Sequence, residues 1–98
     1  MDLDKSSVSQ FTTGQTVAAE TAVQLVQTGY GRIAYKGVKI SPGVDNTDPI
    51  YIGANAGVSE SNGLKISPTD RTVEIEIDSA ENIFIIGNGV DILTWLYC

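Results

Sequence analysis

The 98-residue chain has no histidine and a single cysteine, Cys98. A lone thiol without imidazoles excludes an intramolecular disulfide and any Cys/His metal site. It also removes the commonest general acid–base side chain, and leaves Cys98 with no His to activate it as a nucleophile. Cations are scarce: Lys and Arg total 6 against 12 Asp and Glu, a net charge of −6. That balance opposes contact with nucleic acid, where cations must displace counterions from phosphates. It equally opposes docking on an anionic membrane. No apolar run reaches the ~18 residues that span a bilayer. The start, Met1-Asp2-Leu3-Asp4-Lys5, has no apolar h-region. The nucleophile elbow, the phosphate-binding loop and the dinucleotide glycine fingerprint are absent as well. These absences point to a protein that is not an enzyme, holds no cofactor or metal, and binds neither nucleic acid nor membrane.

What is present is β-sheet patterning. A chain this short forms one domain, and area scaling lets it bury roughly two-thirds of its unfolded surface. Residues 1–20 are rich in Ser, Thr, Gln and small side chains, and Leu3, Val8, Phe11 and Val17 follow no steady period. They read as an extended N-terminal arm whose removal leaves the domain folded. From Thr16 to Val26 a short helix competes with a strand; the alternation of Val23 and Leu25 favours a strand over 21–28. Arg32 to Lys36 alternates, and parity flips after Gly37, as a β-bulge would make it do. Short strands follow at Ile50–Gly53 and at the edge segment Leu64–Ile66. Val73, Ile75 and Ile77 alternate with Glu74, Glu76 and Asp78, the pattern of a half-buried antiparallel strand over 71–78. Ile83-Phe84-Ile85-Ile86 is continuously apolar and reads as a central strand covered on both faces, followed by a tight turn at Gly87-Asn88-Gly89. In the last strand, from Val90, bulk sits on both faces: Ile92, Thr94 and Leu96 oppose Leu93, Trp95 and Tyr97. The sum is an all-β protein of about seven strands over residues 21–98, a small antiparallel β-sandwich or a Greek-key barrel.

Candidate sites are few. Glu74, Glu76 and Asp78 share a strand face and could reach the spacing of a glycosidase pair, but a solvated face is the simpler account. Asp45-Asn46-Thr47-Asp48 offers oxygen ligands of the kind calcium takes, yet lacks EF-hand spacing and reads better as an Asx-type turn. Tyr30, Tyr35, Tyr51, Trp95 and Tyr97 are either core and interface aromatics or a sugar-stacking platform.

One order of motifs carries a resemblance. Ile50-Tyr51-Ile52-Gly53, Gly57-Val58, Ser61-Asn62-Gly63-Leu64, Ser67-Pro68, the acidic strand 73–78, Asn82 to Gly87 and Trp95-Leu96-Tyr97 follow in turn. This run over residues 21–98 resembles small all-β structural proteins of tailed bacteriophages, which serve as capsid decoration (cement) proteins, head fibres or tail modules. The resemblance implies a protein made in the host cytoplasm and carried on the virion. There it would bind the major capsid protein on the outer capsid surface, and copies of itself, with a trimer as the expected closed assembly. Leu3, Val8, Phe11 and Val17 of the arm, with Leu93, Trp95 and Tyr97 of the last strand, are the expected contact residues. A carbohydrate- or receptor-binding module of a tail or fibre is the alternative, with Tyr30, Tyr51 or Tyr97 on its surface.

Overall fold

β-Branched residues at alternate positions mark β-strands such as Val38–Ile40, Ile50–Ile52 and Val73–Ile75 in the computed structural model, which describes residues 12–27, 37–77 and 79–97. The strands are β1 (Thr12–Val17), β2 (Val23–Gln24), β3 (Val38–Pro42), β4 (Ile50–Gly53), β5 (Leu64–Ile66), β6 (Val73–Ile75), β7 (Phe84–Ile86) and β8 (Ile92–Tyr97). A 3₁₀ turn, Ala80–Asn82, is capped by Ser79, whose side chain accepts from the Glu81 amide. Among the described residues there is no α-helix. The strands form two four-stranded sheets with orders β1-β8-β3-β6 and β2-β7-β4-β5, and all pairings are antiparallel.

Among the described strands, only β4 and β5 are consecutive in sequence and adjacent in space. Every other step from one described strand to the next, β5 to β6 included, passes from one sheet to the other. Gly87-Asn88-Gly89 therefore carries the chain from one sheet to the other and closes no hairpin. Gly89 adopts φ +86°, a conformation that glycine takes without steric cost. The inward faces share one core, with Val38, Ile40, Ile50, Ile52, Ile66, Ile85, Leu93 and Tyr97 all buried. The fold is all-β and sandwich-like.

Several local expectations change. Of the segment read as an arm, residues 12–17 form β1, paired along its length with β8 in the register Thr12↔Tyr97 to Val17↔Ile92. Ala18 follows directly and is fully buried. Removing residues 1–20 thus takes away an outer strand and a core residue. Leu3, Val8 and Phe11 lie outside the described residues. So do residues 32–36, where the parity flip began; Gly37 itself has φ +90°, and a Cβ there would meet the Ile75 carbonyl oxygen at 2.7 Å.

β2 is shorter than 21–28 because the chain bends at Leu25-Val26, where both successive side chains enter the core. β6 stops at Ile75 because the Ile77 amide folds back onto the Ile75 carbonyl at 2.9 Å, a three-residue turn that ends the ladder. β7 is central, as its apolar run suggests, but only Ile83 and Ile85 are buried; Phe84 and Ile86 on the outer face are half-buried.

The register β1–β8 sets Gly14 opposite Trp95. A Cβ at Gly14 would run into the six-membered ring of Trp95, so the indole occupies the space glycine leaves. Its Nε1–H donates to the Thr16 hydroxyl at 3.0 Å, and that hydroxyl donates to the Leu25 carbonyl at 2.6 Å. Trp95 also stacks on Tyr97, with centroids 5.7 Å apart and planes 17° apart. Gly14→Ala is expected to destabilise the fold by about 1–3 kcal/mol through overpacking. The check is urea unfolding followed by the fluorescence of Trp95, the only tryptophan.

Candidate functional site

The surface with the most organised polar chemistry lies at one end of the sheets, where the β3–β4 and β7–β8 connections meet. Asp91, immediately before β8, is the only buried charged or polar residue among those described, at 5% exposure. Its Oδ2 accepts from the backbone amides of Thr47 at 3.0 Å and Asp48 at 2.8 Å, and from Asn88 Nδ2 at 3.1 Å. Asn88 Nδ2 also donates to Asp48 Oδ2, and Asn88 Oδ1 accepts from the amides of Val90 and Asp91. Asn46 mimics a strand residue. Its Oδ1 accepts from the Ile92 amide at 3.0 Å while its Nδ2 donates to the Ile92 carbonyl at 2.7 Å. The Gly43 amide donates to the same carbonyl at 3.1 Å.

Side chains from two loops more than forty residues apart are thereby locked together. The turn here spans Gly43 to Asn46, with the Asn46 amide donating to the Gly43 carbonyl, and the Asn46 side chain bonds Ile92 instead of closing a local Asx turn. Among the described residues no group of three or more acidic or thiol side chains is placed to hold a metal ion.

Beside the exposed polar residues Asp45, Thr47 and Asp48, these braced loops display two valines. Val44 is 98% exposed and Val90 76% exposed, each at the tip of its loop. Ordinary turn sequences put polar or small residues at such tips, since a valine there orders water with no compensating burial. Beside the same loops runs a groove of about 430 Å³, lined by Glu20, Asp48, Tyr51, Glu60, Ile86 and Asn88. Asp48 and Asn88 belong to both the groove and the loop brace.

No family model, curated protein or solved structure matches the chain.

The residues singled out from sequence are scattered. Leu93 and Tyr97 are buried in the core, at 0% and 2% exposure, so neither is a surface contact in the folded chain. Trp95 is half-buried, packed against that core and committed to Thr16. Val17, 49% exposed at the end of β1, is presented to solvent. Tyr51 lines the groove; Tyr30 and Tyr35 lie outside the described residues. Glu74 on β6 and Glu76 just beyond it are exposed, and Asp78 lies outside the described residues. Val44, Val90 and the Asn46–Asn88–Asp91 brace were not anticipated. Their signal was the repeated triplet Gly-Val-Asp, at 43–45 and again at 89–91, which puts a β-branched residue in a turn twice.

Replacing Asp91 by Ala strips the acceptor from two amides and an Asn side chain. The expected cost is about 3 kcal/mol, since hydrogen bonds to a charged group contribute roughly 1.5–3 kcal/mol each and the orphaned donors regain water only in part. Asp91→Asn is expected to be milder. Denaturant unfolding reads the cost, and faster amide exchange at Thr47 and Asp48 locates it.

Proposed function

We propose that the chain is a virion structural protein, a capsid decoration protein that attaches through its braced loop end and stabilises the head from outside. The observation that carries this is the display of Val44 and Val90, almost fully exposed, on loops tied down by Asp91, Asn88 and Asn46. A rigid loop loses little conformational freedom on docking, so more of the apolar contact energy appears as affinity. Many copies on a lattice then add avidity to a modest single contact. The resemblance of residues 21–98 to phage structural proteins supplies the class of partner, the major capsid protein. The net charge of −6 suits an outer surface held away from packaged DNA. In this proposal Val17, Leu3, Val8 and Phe11 are secondary contacts, the protein is not an enzyme, and its location is the virion surface.

A second function is favoured by the groove. Tyr51 beside Glu20, Asp48, Glu60 and Asn88 provides an aromatic face and several hydrogen-bonding groups, the pairing that recognises a sugar hydroxyl face. A receptor- or carbohydrate-binding module would bind glycans there and lose binding on Tyr51→Ala, independently of Val44 and Val90.

The deciding experiment sediments the purified protein with undecorated capsids of the virus that encodes it. Saturable binding in fixed ratio to the capsid subunit is expected. Burying each valine contributes about 1.5 kcal/mol or more. The double variant Val44→Asp/Val90→Asp is therefore expected to bind at least about a hundredfold more weakly. Its melting temperature should match that of the wild type, because neither side chain is packed. Wild-type protein that does not bind, or a double variant that binds equally well, contradicts the proposal.

A further inference from the structure

The four sheet edges differ in how they resist pairing. β2 offers two residues. β5 exposes Lys65 and runs directly into the turn at Ser67-Pro68. β6 exposes Glu74 and is cut short by the turn onto Ile75. Shortness, charge and abrupt ends are the usual means of keeping strand edges unpaired. β1 has none of them. It is six residues long, Thr-Thr-Gly-Gln-Thr-Val, with no charge and no proline. One side pairs with β8, and among the described residues no strand pairs with the other.

The ladder's parity says which groups face outward. The Ala18 amide donates to the Asp91 carbonyl at 2.9 Å, and the Gly43 amide, on the far side of β8, to that of Ile92 at 3.1 Å. Alternate residues of an antiparallel strand bond to the same neighbour. Thr12, Gly14 and Thr16 therefore direct their backbone groups at β8, and Thr13, Gln15 and Val17 direct theirs away from it. Beside this edge the two sheets part. An open cleft of about 580 Å³, lined by Thr16, Val17, Val23, Gln24, Leu25 and Phe84 among others, lies between β1 and β2 and leaves mixed apolar and polar, uncharged surface next to the outward groups.

We propose that β1 pairs with β1 of a second copy, antiparallel about a twofold axis at Gln15, joining two four-stranded sheets into one continuous sheet. In this register Thr13 of one copy faces Val17 of the other, and Gln15 faces its own equivalent. Each pair exchanges both N–H···O bonds, because each residue involved points outward. Charge selects a second copy as the occupant. Chains of net charge −6 repel wherever their acidic faces meet, and the neutral β1 is a strip along which they approach without that cost. Pairing through β6 would instead set the exposed Glu74 of both copies on one sheet face. An isologous contact uses one edge twice and closes at two copies; a ring of three needs a second, complementary edge. The dimer therefore replaces the trimer expected from sequence, and it does not rest on capsid attachment.

Sedimentation equilibrium tests this on the full chain. At roughly 100 μM, a hundredfold above a micromolar Kd, the wild type is expected at twice the 10.4 kDa chain mass. Gln15→Lys sets like charges face to face on the axis. Gln15→Pro removes an outward N–H and leaves the bonds of Gly14 and Thr16 to β8 in place. Each is expected to weaken the dimer at least about tenfold while far-UV circular dichroism is retained, and Glu74→Lys on β6 is expected to leave it unchanged. A monomeric wild type at that concentration, a trimeric mass, or a dimer that survives both Gln15 substitutions would overturn the proposal.

Discussion

The position of β8 between β1 and β3 is the constraint on which the rest of the structure depends. Its inward face carries Leu93, Trp95 and Tyr97 in succession, the largest contribution any strand makes to the core. A tryptophan on the inner face of a small two-sheet protein must be given room and a hydrogen-bond partner. Gly14 supplies the room and Thr16 the partner, and both come from β1. Thr16 then passes the interaction to the Leu25 carbonyl, which ties the edge of one sheet to the segment that follows β2 in the other. The carboxylate of Asp91, at the start of the same strand, organises the loops at one end. One strand thus fixes the core, the outer strand beside it and the loop end.

This arrangement separates two kinds of surface. The aromatic side chains of β8 are spent on packing inside the molecule, so the exposed apolar side chains Val44 and Val90 come from turns. The turns are held by side chain-to-backbone hydrogen bonds rather than by strand pairing, which lets them display valines without losing their shape. The same device recurs at the β4–β5 connection. There Asn62 Oδ1 accepts from the Ser59 amide, Asn62 Nδ2 donates to the Gly57 carbonyl, and Val58 is buried beneath the loop. In that loop the valine faces inward and anchors it; in the loops at Val44 and Val90 it faces out.

Much of the fold was readable from local pattern. Ile50–Gly53, the edge strand Leu64–Ile66, the alternation of Val73 and Ile75 and the central position of Ile83–Ile86 follow from hydrophobic spacing and turn residues alone. β1 was not readable in this way. Its sequence, Thr-Thr-Gly-Gln-Thr-Val, has no apolar face, because the position that points most directly at the core is Gly14 and the bulk that fills the space belongs to Trp95, eighty-one residues later. The inner face of β8 was ambiguous for a related reason: Ile92 and Leu96 match Leu93 and Tyr97 in hydrophobicity, and only the pairing partners decide which set is buried. The loop brace was invisible because Asn46 and Asp91 acquire their partners across the whole chain. Only the doubled Gly-Val-Asp triplet marked the place.

Residues 12–17 are an integral strand locked to β8 by the Gly14–Trp95 contact, rather than a tail that begins before the domain. Native-state amide hydrogen exchange measures this residue by residue. Gly14 and Thr16 are expected to exchange only through global unfolding, with the same protection as the core strand residues Ile40 and Ile85. Exchange of Gly14 and Thr16 at the rate of an unstructured peptide, with Ile40 and Ile85 still protected, would contradict the account.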